Sequence, residues 1–84
     1  MKSEWLDELA KVLREIRDIG EMKEFLRGLL TEGELDEVTR RLQIVKKIKS
    51  GVRHHVIAKE LGVGVATVTR GSKEIQKGRF GQVR

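Results

Sequence analysis

The chain has 84 residues, with no cysteine, no proline, no tyrosine and three aromatic residues, Trp5, Phe25 and Phe80. The absence of cysteine excludes a disulfide framework and a thiolate metal site. No apolar run is long enough to cross a membrane and the start, MKSEWLDELAK, is not a signal peptide, so a cytoplasmic protein is expected.

Charged residues make up 37% of the chain, and most apolar residues fall at helical spacing, which predicts an all-α protein. The net charge of +5 is unevenly spread. Residues 1–39 carry 6 basic and 11 acidic residues, net −5, whereas residues 40–84 carry 12 basic and 2 acidic residues, net +10. A positive field over the second half attracts a polyanion and speeds encounter with it. A chain this short buries a modest fraction of its surface, so association with a second copy is a natural way to gain core.

In chain order, the spacing predicts a first helix over 3–19. Trp5, Leu9, Val12, Ile16 and Ile19 form its apolar stripe, with Leu6 and Leu13 alongside. Ser3 is the expected N-cap and Gly20 the expected stop. The stripe is wide for so short a chain, and a second subunit is its expected cover. A short second helix follows over 21–30, with Met22, Phe25, Leu26, Leu29 and Leu30 apolar. Thr31 then opens TEGE, a capping box in which hydroxyl and carboxylate satisfy each other's backbone amides. The third helix is expected over 32–50, with Leu35, Val38, Leu42, Val45 and Ile48 inward, Ile44 widening the stripe, and Gly51 ending it.

The stretch Val52 to Ile75 reads as two short helices, about 53–61 and 65–76, joined by a tight turn. Gly62 stands where the first must stop, in a conformation other residues resist. Ala58, four residues earlier, is small where the helices cross. Val68, six residues later, is placed to plug the angle between them. This is the pattern of a DNA-binding helix-turn-helix. Residues 1–76 are thus expected to form a single small helical domain. From Lys77 the sequence KGRFGQVR has no periodicity and is expected to be a flexible basic tail, with Phe80 available for docking.

In such a motif the second helix presents its N-terminal residues to the major groove. Those are Gly64, Val65, Ala66 and, one turn on, Thr69. None can make a bidentate hydrogen bond to a base, so reading rests on thymine methyl contact, a hydroxyl and bridging water. Arg53, His54, His55 and Lys59 on the first helix can add base or phosphate contacts, and Arg70, Lys73 and Lys77 can reach phosphates. The plain alternative for each basic residue is a solvated side chain. His54 and His55 are adjacent and face differently on a helix, so they do not make a metal site. Gly71 is the oddity, because an apolar residue is usual three positions after the plug. With Arg70 beside it and Arg41 in the third helix, a glycine-lined gap between two arginines suits a planar ligand carrying a carboxylate. The alternative is that Gly71 permits close helix packing. No nucleophile has a base beside it and no phosphate-cradling loop occurs, so no enzyme is expected.

At these residues the chain resembles the tryptophan (Trp) repressor family. The resemblance runs from about Phe25 to Ile75, and its most specific part is GVGVATVTRGS, Gly62 to Ser72. LLT at Leu29 to Thr31 and RRLQIV at Arg40 to Val45 support it. The resemblance implies an intertwined homodimer that represses transcription at operator DNA, with free L-tryptophan as corepressor. The matching ligand positions are Arg41 and Arg70 for the two stacking arginines, Gly71 under the indole, Thr31 and Thr67 lining the site, and the carbonyl of Leu30 for the amino group. Val65, Ala66 and Thr69 match base-facing positions. Glu74 replaces a serine near the ligand's amine, and can pair with that amine or alter ligand choice. Gly28 replaces an apolar residue, and His55 and Ala58 replace basic ones that contact DNA. The chain stops about where the family's last helix would begin. Two other readings stay open: a ligand-independent DNA-binding module, and a protein–protein interaction domain with a basic face.

Overall fold

A computed structural model describes residues 1–84 as five helices without a strand: α1 Ser3–Glu15, α2 Ile19–Leu29, α3 Glu32–Lys49, α4 His54–Leu61 and α5 Val65–Gln76. The all-α expectation holds. The chain divides into two units, Met1–Leu35 and Asp36–Arg84.

In the first unit α1 is shorter than its apolar spacing suggests. It stops at Glu15, and Ile16 takes an extended conformation with ψ 114°. The reason lies in Asp18, whose carboxylate accepts the amide of Glu21 at 2.9 Å and so caps a new helix. Gly20 is therefore not a stop. It lies in the first turn of α2, where a Cβ would meet the capping Asp18 carboxylate at 3.0 Å. Ser3 is not the N-cap either: Lys2 holds that position without a side-chain bond, its ammonium 5.6 Å from the Trp5 ring centroid. The capping box at α3 forms as expected. Thr31 Oγ1 accepts the Glu34 amide at 3.1 Å, and Glu34 Oε1 accepts the Thr31 amide at 2.9 Å. Those bonds hold the Glu34 carboxyl below its ordinary range, the backbone bond from Thr31 most of all. Neither α1 nor α2 buries a residue; Trp5, Leu6, Val12 and Ile19 are all exposed.

The second unit holds the core. Ile44, Ile57, Ala58 and Val68 form one buried cluster, with Ile48, Val52, Leu61 and Val63 packed against it. Ile57 and Val68 are fully enclosed. Each contributes about 1.5–3 kcal/mol through burial. On α3 the inward residues are Ile44, Val45 and Ile48, whereas Val38 and Leu42, expected inward, stand on the surface. The core contacts come from the helix's carboxyl-terminal half, against which α4 and α5 pack. Gly51, with φ +83°, ends the helix as expected, and Lys47 reaches α4 through Glu60 at 2.8 Å.

Gly62 is the hinge of the helix pair. Its backbone is left-handed (φ 65°, ψ 37°), and both its amide and that of Val63 donate to the Ala58 carbonyl. That turn lets Val68 drop between α4 and α5. After α5 the chain reverses at Gly78 (φ 91°), with the Gly78 amide on Ile75 O at 2.9 Å and the Arg79 amide on Glu74 O at 3.2 Å. The tail forms no helix but is tied to α3. Lys49 Nζ donates to the carbonyls of Phe80 and Val83, the latter at 2.8 Å.

Candidate nucleic-acid interface and ligand cavity

The leading end of α5 is free. Gly64, Val65 and Ala66 are exposed and Thr69 is half-buried one turn on. No side chain caps this end, nor the start of α4 at Arg53. Two helix dipoles therefore offer their positive ends and uncommitted amides to solvent, the arrangement that receives phosphates. Arg53, His55, Lys59, Arg70 and Lys73 are exposed, and His54 is half-buried. The residues expected to touch DNA thus lie on, or at the N-cap of, the same two helices, and the apolar Val65 is 50% exposed and outside the core cluster.

Between α3 and α5 lies a cavity of about 650 Å³. From α3 it is lined by Glu37, Arg40, Arg41, Ile44 and Val45; from the turn and α5 by Val63, Thr67, Arg70, Gly71 and Glu74; and from the tail by Arg79 and Phe80. Five of the expected ligand residues, Arg41, Thr67, Arg70, Gly71 and Glu74, therefore meet on one cavity. Leu30 and Thr31 belong to the first unit and do not line it. The Thr31 hydroxyl is engaged in its helix cap, and the Leu30 amide donates to Leu26 O at 2.9 Å.

Gly71 serves both readings of it. It lines the cavity, yet a Cβ built there would meet Ile44 Cγ2 at 3.2 Å and Ile48 Cδ1 at 3.5 Å. The missing side chain thus lets α5 approach α3 closely. Arg41 is paired with Glu37 one turn earlier, at 2.7 Å. Arg40 pairs likewise with Asp36 at 2.9 Å. The Arg70 side chain makes no hydrogen bond or ion pair within the chain.

Glu74 accepts from Lys77 Nζ at 3.2 Å and Arg79 at 2.8 Å. The Lys77 hydrogen bond, joined by the charge of Arg79, holds its carboxyl below the ordinary range against the opposing effect of partial burial. Sequence reasoning missed Glu37, Arg79 and Phe80 as cavity residues. The i, i+4 spacing of Glu37 and Arg41 was the available signal for the first. For the tail it was Gly78 directly after the helix, which turns the chain back.

Comparison with known proteins places the chain in a family. The family model described as Trp repressor protein matches residues 4–82. A Trp operon repressor homolog from Vibrio parahaemolyticus is 31% identical over 70 residues, 82% of this chain and 68% of that protein. One from Photobacterium profundum is 42% identical over 52 residues, 61% of this chain and 50% of that protein. Similarity also extends to the uncharacterized protein YerC of Bacillus subtilis, 27% identical over 70 residues, 83% of this chain and 67% of that protein. No solved structure matches. The chain therefore belongs to the Trp repressor family, a family of DNA-binding transcriptional regulators.

Proposed function

We propose that this chain is a sequence-specific DNA-binding transcriptional repressor that works as a homodimer in the cytoplasm. We further propose that its corepressor is a planar carboxylate, L-tryptophan or a related amino acid, seated in the cavity between α3 and α5. One observation carries the reading: α5 presents an exposed, uncapped leading end while its flank, through Thr67, Arg70, Gly71 and Glu74, forms one wall of the cavity. A ligand between α3 and α5 acts on the same rod that enters the groove. It tightens DNA binding if it fits the DNA-ready tilt of α5 better than other tilts, by the difference in its affinity for the two. The exposed apolar residues of α1 and α2 supply the dimer face, and a twofold pair of α5 helices addresses two half-sites about 34–36 Å apart.

The test is a mobility-shift titration on duplexes selected from a random pool, with and without L-tryptophan, at several salt concentrations. Retardation that weakens steeply with salt and strengthens with L-tryptophan is expected. Absence of salt-sensitive retardation by the folded protein would overturn the DNA reading and favour a protein-binding role for the basic half. The ligand-independent reading has its own support, because Arg79 and Phe80 already occupy one side of the cavity. It requires equal retardation with and without the amino acid.

A further inference from the structure

The far half of α5 has little core to hold it. Val68 is the helix's one buried residue, and beyond it α5 runs on for about 12 Å. At Gly71 it passes close to Ile44 and Ile48, and further on Glu74 and Ile75 are only half-buried. A rod held near one end is free to swing about that end, so its direction needs a second fixed point.

The tail supplies one, anchored at both of its ends. On the α5 side, the Gly78 reversal folds Arg79 back, so that its guanidinium pairs with Glu74 at 2.8 Å and its amide donates to the Glu74 carbonyl at 3.2 Å. On the α3 side, Lys49, the last residue of that helix, donates from Nζ to the carbonyls of Phe80 and Val83. Those two carbonyls belong to one turn, closed by the Val83 amide on the Phe80 carbonyl at 3.1 Å. The turn is thus a seat for an ammonium, and α3 fills it. Between the anchors Phe80 holds a left-handed backbone (φ 65°), which costs a non-glycine residue and persists only where surrounding contacts impose it.

We propose that residues 77–84 are a strap that ties the far end of α5 to the end of α3, and that this strap aims α5 at DNA when the cavity is empty. In the strapped chain the leading end of α5 stands exposed and uncapped, as entry into a groove requires. The proposal rests on the reading of α5 as the DNA-entering helix and adds what fixes its direction. The strap sets the ligand-free baseline of DNA affinity, on which a corepressor adds.

Two readouts on the whole chain test this, amide hydrogen exchange and ligand-free retardation of a selected duplex. Lys49→Met and Arg79→Gln each release one anchor. Lys46→Met is the control, since it removes one charge from the same helix at an exposed side chain without a partner. Each anchor variant should speed exchange at Ser72 to Gln76 about two- to fivefold, the size of one exposed charge contact, and leave α4 unchanged. Each should weaken retardation by a similar factor beyond the control. Because both anchors hold one strap, the double variant should lose less than the product of the single losses. Unchanged exchange at the end of α5 in the folded anchor variants would overturn the proposal, as would losses that simply multiply. Faster exchange with retardation no weaker than in the control would overturn the aiming role. No retardation by the unaltered chain would overturn the DNA reading and the aiming role with it, while faster exchange in the anchor variants would still establish the strap.

Discussion

Gly71 is the residue on which packing and site meet. Alanine there gains about 1 kcal/mol of helix propensity. Against that stands a contact of 3.2 Å with a methyl of Ile44, a side chain only 2% exposed and wedged in the core. Overpacking a well-filled site costs roughly 1–3 kcal/mol, so the contact outweighs the propensity. Gly71→Ala should lower the midpoint of urea unfolding, and an unchanged or raised midpoint would show that Ile44 can yield. The same substitution narrows the cavity and should weaken ligand binding by titration. Arg70 differs in kind, because it stands at both the cavity and the exposed face of α5. Arg70→Ala should reduce ligand binding and DNA retardation together.

At the scale of elements, two devices decide where helices begin and end. Gly62 has open space where a Cβ would be, so its cost of substitution is purely that of the left-handed backbone. Gly62→Ala should destabilise by about 1–2 kcal/mol in denaturant unfolding. Gly62→Asn should recover part of that, since asparagine tolerates the conformation; equal losses for both would mean that contact rather than backbone is at stake. At the start of α3, Thr31→Ala should cost about 1 kcal/mol by removing the cap. The pH dependence has a defined sign. The Glu34 carboxyl is held below its ordinary range in the folded chain, so its contribution is present above that range and disappears as pH falls through the folded value. Unfolding midpoints followed on the acid side of neutrality should show this loss in the unaltered protein. Thr31→Ala should flatten it, and an unaltered acid slope in that variant would assign the loss elsewhere.

For the molecule as a whole, charge and apolar surface are divided between the two ends of the chain. The first 39 residues are acidic, and α1 and α2 bury nothing of their own. The last 45 are basic and hold the buried core. This division suits an assembly in which apolar helices join copies while basic helices meet a polyanion. Lys59 is exposed in the last turn of α4 and lies outside the cavity. Lys59→Ala should therefore weaken DNA binding about equally on all duplexes and lower the slope of log affinity against log salt by about 1. Ligand titrations should not change. A sequence-dependent loss would instead make Lys59 a base-reading residue.

The sequence by itself determined what neighbours along the chain decide. The Gly62 turn with Ala58 and Val68 at their offsets, the Thr31–Glu34 capping box and the basic second half were all legible, because each depends on residues a few positions apart. The break at Ile16 was legible in principle, as Asp18 and Glu21 repeat the spacing of the cap at α3, but the continuous apolar stripe concealed it. Only the tertiary structure decided that Ile44 rather than Leu42 faces the core, that Gly71 is held against Ile44, and that the tail walls the cavity. The Lys49 bonds to Phe80 and Val83 span 31 and 34 residues. No periodicity announces such contacts, because they exist only once α3 and α5 have packed and brought distant groups within hydrogen-bonding reach.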